Sequence, residues 1–224
     1  MSINSSDTNH SHSHDSHLAH HFKNAEHQFE SAKQGIWLFM VTEILMFGGL
    51  FVGYSIFHAI YPKMFAEGAS HLDWRLGFVN TLVLIFSSYT MAMSIHHLQK
   101  NEKSKAVLKL WLTVACGVIF MCIKAYEYSS KFHHGLFPGR YLDVAHVGAE
   151  AANLGMYYGF YFCMTGLHGI HVLIGMGLIV WLALRAQKGE FGENYFTPVE
   201  GVGIFWHIVD LIWIFLFPLL YLVG

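Results

Sequence analysis

Five long apolar runs decide what this chain of 224 residues can fold into. They lie at about Gln34–Ile60, Trp74–His97, Lys105–Tyr128, Asn153–Leu184 and Pro198–Val223. At 1.5 Å of rise per helical residue, each is long enough to cross a hydrocarbon core about 30 Å thick. Helix is the spanning form, because no series of ten-residue alternating strands appears and lipid offers no partner to an unpaired backbone. Composition agrees: 12% of residues are charged, 54% are hydrophobic and the mean hydropathy is +0.40. An ordinary soluble domain is about 25% charged, and a small soluble fold has no interior large enough for this much apolar surface. The expected fold is therefore an all-α membrane protein with five transmembrane helices. The fourth run is longer than a span requires, so it should tilt or protrude.

Other classes fall away on the same grounds. A net charge of −2 with no basic stripe speaks against nucleic acid as a partner. Cys116, Cys122 and Cys163 sit in apolar stretches without a C-x-x-C pair, so neither a disulfide framework nor a thiolate metal site is expected.

The first 33 residues read as a separate unit ahead of a membrane domain over 34–224. Residues 1–14 are rich in Ser, Asn and His and cannot bury a core. From Asp15 a helix is expected, capped by Asp15 or Ser16. Leu18, Phe22, Ala25, Phe29, Ala32 and Ile36 fall on one face of it, and that face suits docking on a partner at the cytoplasmic surface. The seven histidines His10, His12, His14, His17, His20, His21 and His27 read as a solvated tail rather than a metal site. The polar start does not read as a secretory signal, since no apolar core follows a basic beginning. Lys23, Lys33, Lys100, Lys103, Lys105, Lys109, Arg185 and Lys188 fall on one side of the spans. Lys63, Arg75, Lys124, Lys131 and Arg140 fall on the other. The imbalance predicts a cytoplasmic N-terminus and an external C-terminus.

Ionisable residues inside spans are the informative ones, since a charge at the bilayer centre costs about 3 kcal/mol or more. They are Glu43, Glu127, His168, His171, Glu200, His207 and Asp210, with His96 and His97 at a span end. Glu43 and His207 each lie nine residues into a span from the same side, roughly 13 Å deep, so the depth argument brings them together. Glu200, His207 and Asp210 share one helical face. Glu127 comes late in its span, near the external interface. For Glu43, a hydrogen bond to a neighbouring helix, a proton relay and a lipid headgroup contact are all open; for Asp210, Glu127 and the histidines, interhelical hydrogen bonding is the leading reading. Gly48, Gly49 and Gly53 offer a small-residue face for close helix packing, as do Gly166 and Gly169 around His168. Haem or copper would need histidines at matched depth on facing helices, and only His207 stands opposite His168 and His171. No phosphate-binding glycine loop or nucleophile elbow occurs, so neither catalytic nor metal-ligating residues are expected in the chain.

Ordered blocks of the sequence carry a family resemblance. VTEILMFGGLFVGY (41–54), NTLVLIFSSYTMAMSIHHL (80–98), KAYEY (124–128), TGLHGIHVLIG (165–175) and VEGVGIFWHIVDLIWIF (199–215) together resemble subunit III of the haem-copper terminal oxidases. The resemblance runs from Ile36 to the C-terminus. It implies a subunit without haem or copper of its own, those groups belonging to partner subunits. Such a subunit packs on catalytic subunit I, within reach of subunit II and other respiratory subunits, in a bacterial inner membrane. It holds phospholipid in a cleft and supports proton uptake by a proton-pumping oxidase. Glu43 matches the family's buried carboxylate beside that cleft. His207 belongs to the same candidate lipid site, and Arg185 matches a basic position suited to a lipid phosphate. The long family form has seven spans; this chain matches the last five, so its cleft needs completing by another chain or by spans attached elsewhere.

Service in a quinol oxidase and association with a nitric oxide reductase are the nearest alternatives. A free-standing proton or ion transporter is the alternative of another class. Against it, no internal repeat is visible and only Pro218 interrupts a span.

Overall fold

The computed structural model describes residues 25–70, 72–133, 151–191 and 196–222, with side chains described from Glu30 onward except Ala32, and in the fifth helix from Leu154. Six helices make up the described residues. They are α1 (Ala25–Ile60), α2 (Pro62–Ser70), α3 (Trp74–Gln99), α4 (Lys103–His133), α5 (Ala151–Gln187) and α6 (Thr197–Tyr221). Five of them are long and apolar enough to cross a membrane, so the protein is a multi-pass membrane protein. α5 has 37 residues, about 55 Å of helix, and overruns a bilayer core as its length in the sequence requires. The expected amphipathic segment from residue 15 lies outside the described residues as far as residue 24. From Ala25 the helix runs without a break through residues 33 and 34 into the first span.

α2 had no counterpart among the five runs. Pro62 opens it, where a missing N–H costs nothing. Nine residues with Phe65, Gly68 and Ala69 buried are too few and too mixed in polarity to register as a span. It lies against α5: a Cβ on Gly68 would collide with the edge of the Tyr157 ring, and Phe65 meets the same ring edge-on at 5.6 Å.

α3, α4, α5 and α6 form the packed core. Asp73 caps α3 by accepting the Arg75 backbone N–H at 2.9 Å. Asn101 turns α3 into α4 with φ at 58°, a left-handed conformation that Asn tolerates. Trp206 and Trp213 of α6 fill the centre, fully buried. Glycine makes room for them: a Cβ on Gly175 would come within 2.8 Å of Trp206, and one on Gly117 within 2.6 Å of Met176. α1 stands apart from this core. Only 11% of its most apolar stretch is buried, against 50% for α6. Gly48 and Gly49 have nothing within 4 Å of a would-be Cβ, so the small-residue face expected to pack closely is used within this chain only at Gly53, against Phe160.

Candidate functional site

The end of the bundle formed by the C-terminal parts of α4 and α6 holds a buried charge cluster. On α4, Lys124, Glu127 and Lys131 are spaced three and four apart and so share one face. All three are almost completely buried. Lys124 Nζ donates to Glu127 Oε2 at 2.9 Å, to the Tyr221 hydroxyl at 2.9 Å and to the Tyr161 hydroxyl at 3.2 Å. Glu127 Oε1 accepts from Tyr161 at 2.9 Å and from Tyr221 at 2.6 Å, and lies 3.8 Å from Lys131 Nζ. Tyr161 belongs to α5 and Tyr221 to α6, so one carboxylate ties three helices together. Interhelical hydrogen bonding, the leading reading of Glu127 from the sequence, is what these contacts show. Lys124 and Lys131, counted from the sequence among the basic residues of one side, are both buried residues. Their three- and four-residue spacing from Glu127 was the available signal.

Deeper in, α3 and α6 are joined by polar pairs. Trp213 Nε1 donates to Thr81 at 3.1 Å and Trp206 Nε1 to Ser87 at 3.0 Å. Ser88 Oγ and His207 Nδ1 are 2.6 Å apart, and Ser87 Oγ lies 3.4 Å from Asp210 Oδ2. Asp210 is 3% exposed and His207 half-buried. The shared face of Glu200, His207 and Asp210 thus divides: Asp210 enters the core, while Glu200, in the first turn of α6, lines a shallow groove with Lys33, Ile36 and Trp37.

Glu43 meets the core through His171. Its Oε2 lies 2.8 Å from His171 Nε2, and His171 Nδ1 lies 2.7 Å from the Leu167 carbonyl. A carbonyl only accepts, so Nδ1 carries a proton. Nε2 then either accepts from a protonated Glu43 or donates, as imidazolium, to its carboxylate. Both forms are neutral overall, which suits a half-buried pair in a membrane. The depth argument had paired Glu43 with His207; the structure partners each elsewhere, Glu43 with His171 and His207 with Ser88. Equal depth fixed the level of the two residues and left their rotation about the helix axes open. His168 takes yet another place, stacked in the core 5.2 Å from Trp213 and 5.6 Å from Phe120. Among the described residues no three His, Cys, Asp or Glu side chains gather as a metal site.

At the turn between α3 and α4, His97 Nδ1 lies 2.7 Å from Glu102 Oε2, and Lys105 donates to Glu102 Oε1 at 3.1 Å. Lys105 first, then His97, holds the Glu102 carboxyl below the usual carboxylate range. His96, beside it, is exposed. Arg185 pairs with Glu190 at 2.5 Å and lies over the Trp181 and Phe191 rings. Its guanidinium is thus held at the membrane rim, already sharing a carboxylate.

Comparison with known proteins bears on this arrangement as a whole. The family model described as cytochrome c oxidase subunit III matches residues 13–224. A cytochrome c oxidase subunit 3 from Synechocystis sp. is 33% identical over 84% of this chain and 74% of its own length. The corresponding subunit from Thermostichus vulcanus is 32% identical over 84% and 85%. A probable quinol oxidase subunit 3 from Staphylococcus haemolyticus is 27% identical over 88% and 92%.

Proposed function

The chain belongs to the cytochrome c oxidase subunit III family, and on that premise we propose that it is a non-redox accessory subunit of a respiratory haem-copper oxidase. It stabilises catalytic subunit I, holds phospholipid beside α1 and supports proton uptake during oxygen reduction. Haem and copper reside in the partner subunits. The observation that carries the reading is the Glu43–His171 pair. It is a proton-sharing pair at the seam between the core and α1, whose remaining length presents apolar side chains such as Leu38, Leu45, Val52 and Ile56 outward. Acyl chains suit that flank, and Arg185 stands at the rim at headgroup level.

Orientation follows from the basic residues. With Lys124 and Lys131 counted as interior, the outer side keeps Lys63, Arg75 and Arg140 against eight on the N-terminal side. The N-terminus is then cytoplasmic and the membrane a bacterial inner membrane. Relatives named for cytochrome c and for quinol oxidases both align, and the electron donor docks on other subunits. Deleting the chain tests the proposal. Haem spectra of the remaining complex should stay intact, while activity decays faster in turnover or proton uptake slows. Loss of a haem or copper signal from an otherwise assembled complex overturns it.

A further inference from the structure

Two side chains in the packed core carry polar atoms that the chain does not satisfy. Asn80 on α3 is 0% exposed and His168 on α5 is 1% exposed. Neither amide atom of Asn80 and neither ring nitrogen of His168 has a hydrogen-bond partner among the described residues. They occupy one level of the bundle. The Trp213 ring lies 5.2 Å from the His168 ring and donates its N–H to Thr81, the residue next to Asn80. Phe120 of α4 closes the level, 4.9 Å from Trp213. Asp210, one turn earlier on α6, has its Oδ1 unpaired as well.

Buried amides and imidazoles are almost always paired, with protein or with ordered water. A neutral imidazole needs one donor and one acceptor; an asparagine amide offers two donors and two lone pairs. Two of the polar groups nearby are engaged. Thr81 donates to the Gly77 carbonyl and accepts from Trp213. Lys124, 5.1 Å from the Trp213 ring, spends its three donors on Glu127, Tyr161 and Tyr221. The requirement is for a small, uncharged molecule that both donates and accepts.

We propose that the Trp213 level holds ordered internal water, hydrogen-bonded to His168 and to Asn80. Soluble proteins carry about one buried water per 27 residues, each making about three hydrogen bonds to otherwise unsatisfied polar groups. The wet level lies between the Lys124–Glu127 cluster and the Ser87–Asp210 contact, and it is independent of the oxidase reading.

A structure of the intact membrane complex at about 2 Å or better tests it. Discrete density is expected within about 3.2 Å of a His168 ring nitrogen and of the Asn80 amide. A dry level overturns the proposal, including one in which the two side chains turn to bond each other or another protein group. Thermal dissociation of the complex gives a second measurement. In His168→Phe the water loses a partner and the transition temperature falls. A transition that rises or holds shows that the ring nitrogens were dry and overturns the proposal as well.

Discussion

Removing the charge of Glu127 is the sharpest perturbation the structure offers. In Glu127→Gln the shape survives, and an amide oxygen can still accept from Tyr161 and Tyr221. What is lost is the counter-charge of two buried ammonium groups, Lys124 at 2.9 Å and Lys131 at 3.8 Å. The side chains of all three are at most 7% exposed, so water cannot compensate. Breaking one buried ion pair costs about 3–5 kcal/mol, because the surviving partner keeps its desolvation penalty and loses its attraction. At about 1.4 kcal/mol per decade, that is roughly two to three and a half decades in the folding equilibrium. Pairing the change with Lys124→Met removes one stranded cation and should restore a large part of the loss, leaving Lys131 as the residual defect. The assay is a double-mutant cycle on thermal dissociation of this subunit from the purified complex. A Glu127→Gln loss below about 0.5 kcal/mol, in the range of exposed pairs, or strictly additive losses, would refute the view of a desolvated pair that ties α4, α5 and α6.

The turn between α3 and α4 should respond to acid. Glu102 has a folded-state pKa below its unfolded value, so its contribution is present above the unfolded pKa near 4.3 and is lost as pH falls through the folded one. Hydrogen-exchange protection factors in residues 100–103, corrected for the intrinsic pH dependence of exchange, should therefore fall on acidification in wild type and lose that step in Glu102→Gln. Gly77→Ala and Gly48→Ala should separate two kinds of glycine. The first places a Cβ 2.7 Å from the Phe217 ring and should lower thermal stability by about 1–3 kcal/mol. The second meets nothing within 4 Å in this chain, so its fold should be unchanged or stabilised by up to about 1 kcal/mol.

The spans were legible because hydrophobic length alone fixes them. The observed helix bounds lie near the expected ones at most ends, with α4 reaching His133 beyond the expected Tyr128. That overrun has a cause in the sequence. Lys131 falls beyond the expected end at Tyr128, yet its spacing from Glu127, and that of Lys124, lets the three neutralise one another on one helical face and extend the helix. Partner choice was less legible. Depth along a helix follows from counting at 1.5 Å per residue, but azimuth depends on which neighbour the helix packs against. Counting therefore set Glu43 level with His207 and missed His171, seen only once α1 leans on α5. Close-approach glycines were hidden for the same reason: Gly68, Gly77, Gly117, Gly175 and Gly203 matter because of the large side chain opposite each.

The distribution of polar partners explains why α1 sits where it does. α3, α4, α5 and α6 exchange hydrogen bonds at several levels, from Thr90–Thr113 through Ser88–His207 and Trp213–Thr81 to the Glu127 cluster. In lipid, apolar contact gives no preference between helix and solvent, so such bonds and tight packing hold a bundle together. From α1, Glu43 meets His171, and the Tyr54 hydroxyl donates to the Leu219 carbonyl at 2.8 Å. These contacts, about three turns apart along α1, help fix its rotation and depth while leaving most of its flank to other molecules. Glu43 is thus better placed to set the attitude of that flank than to hold the core together.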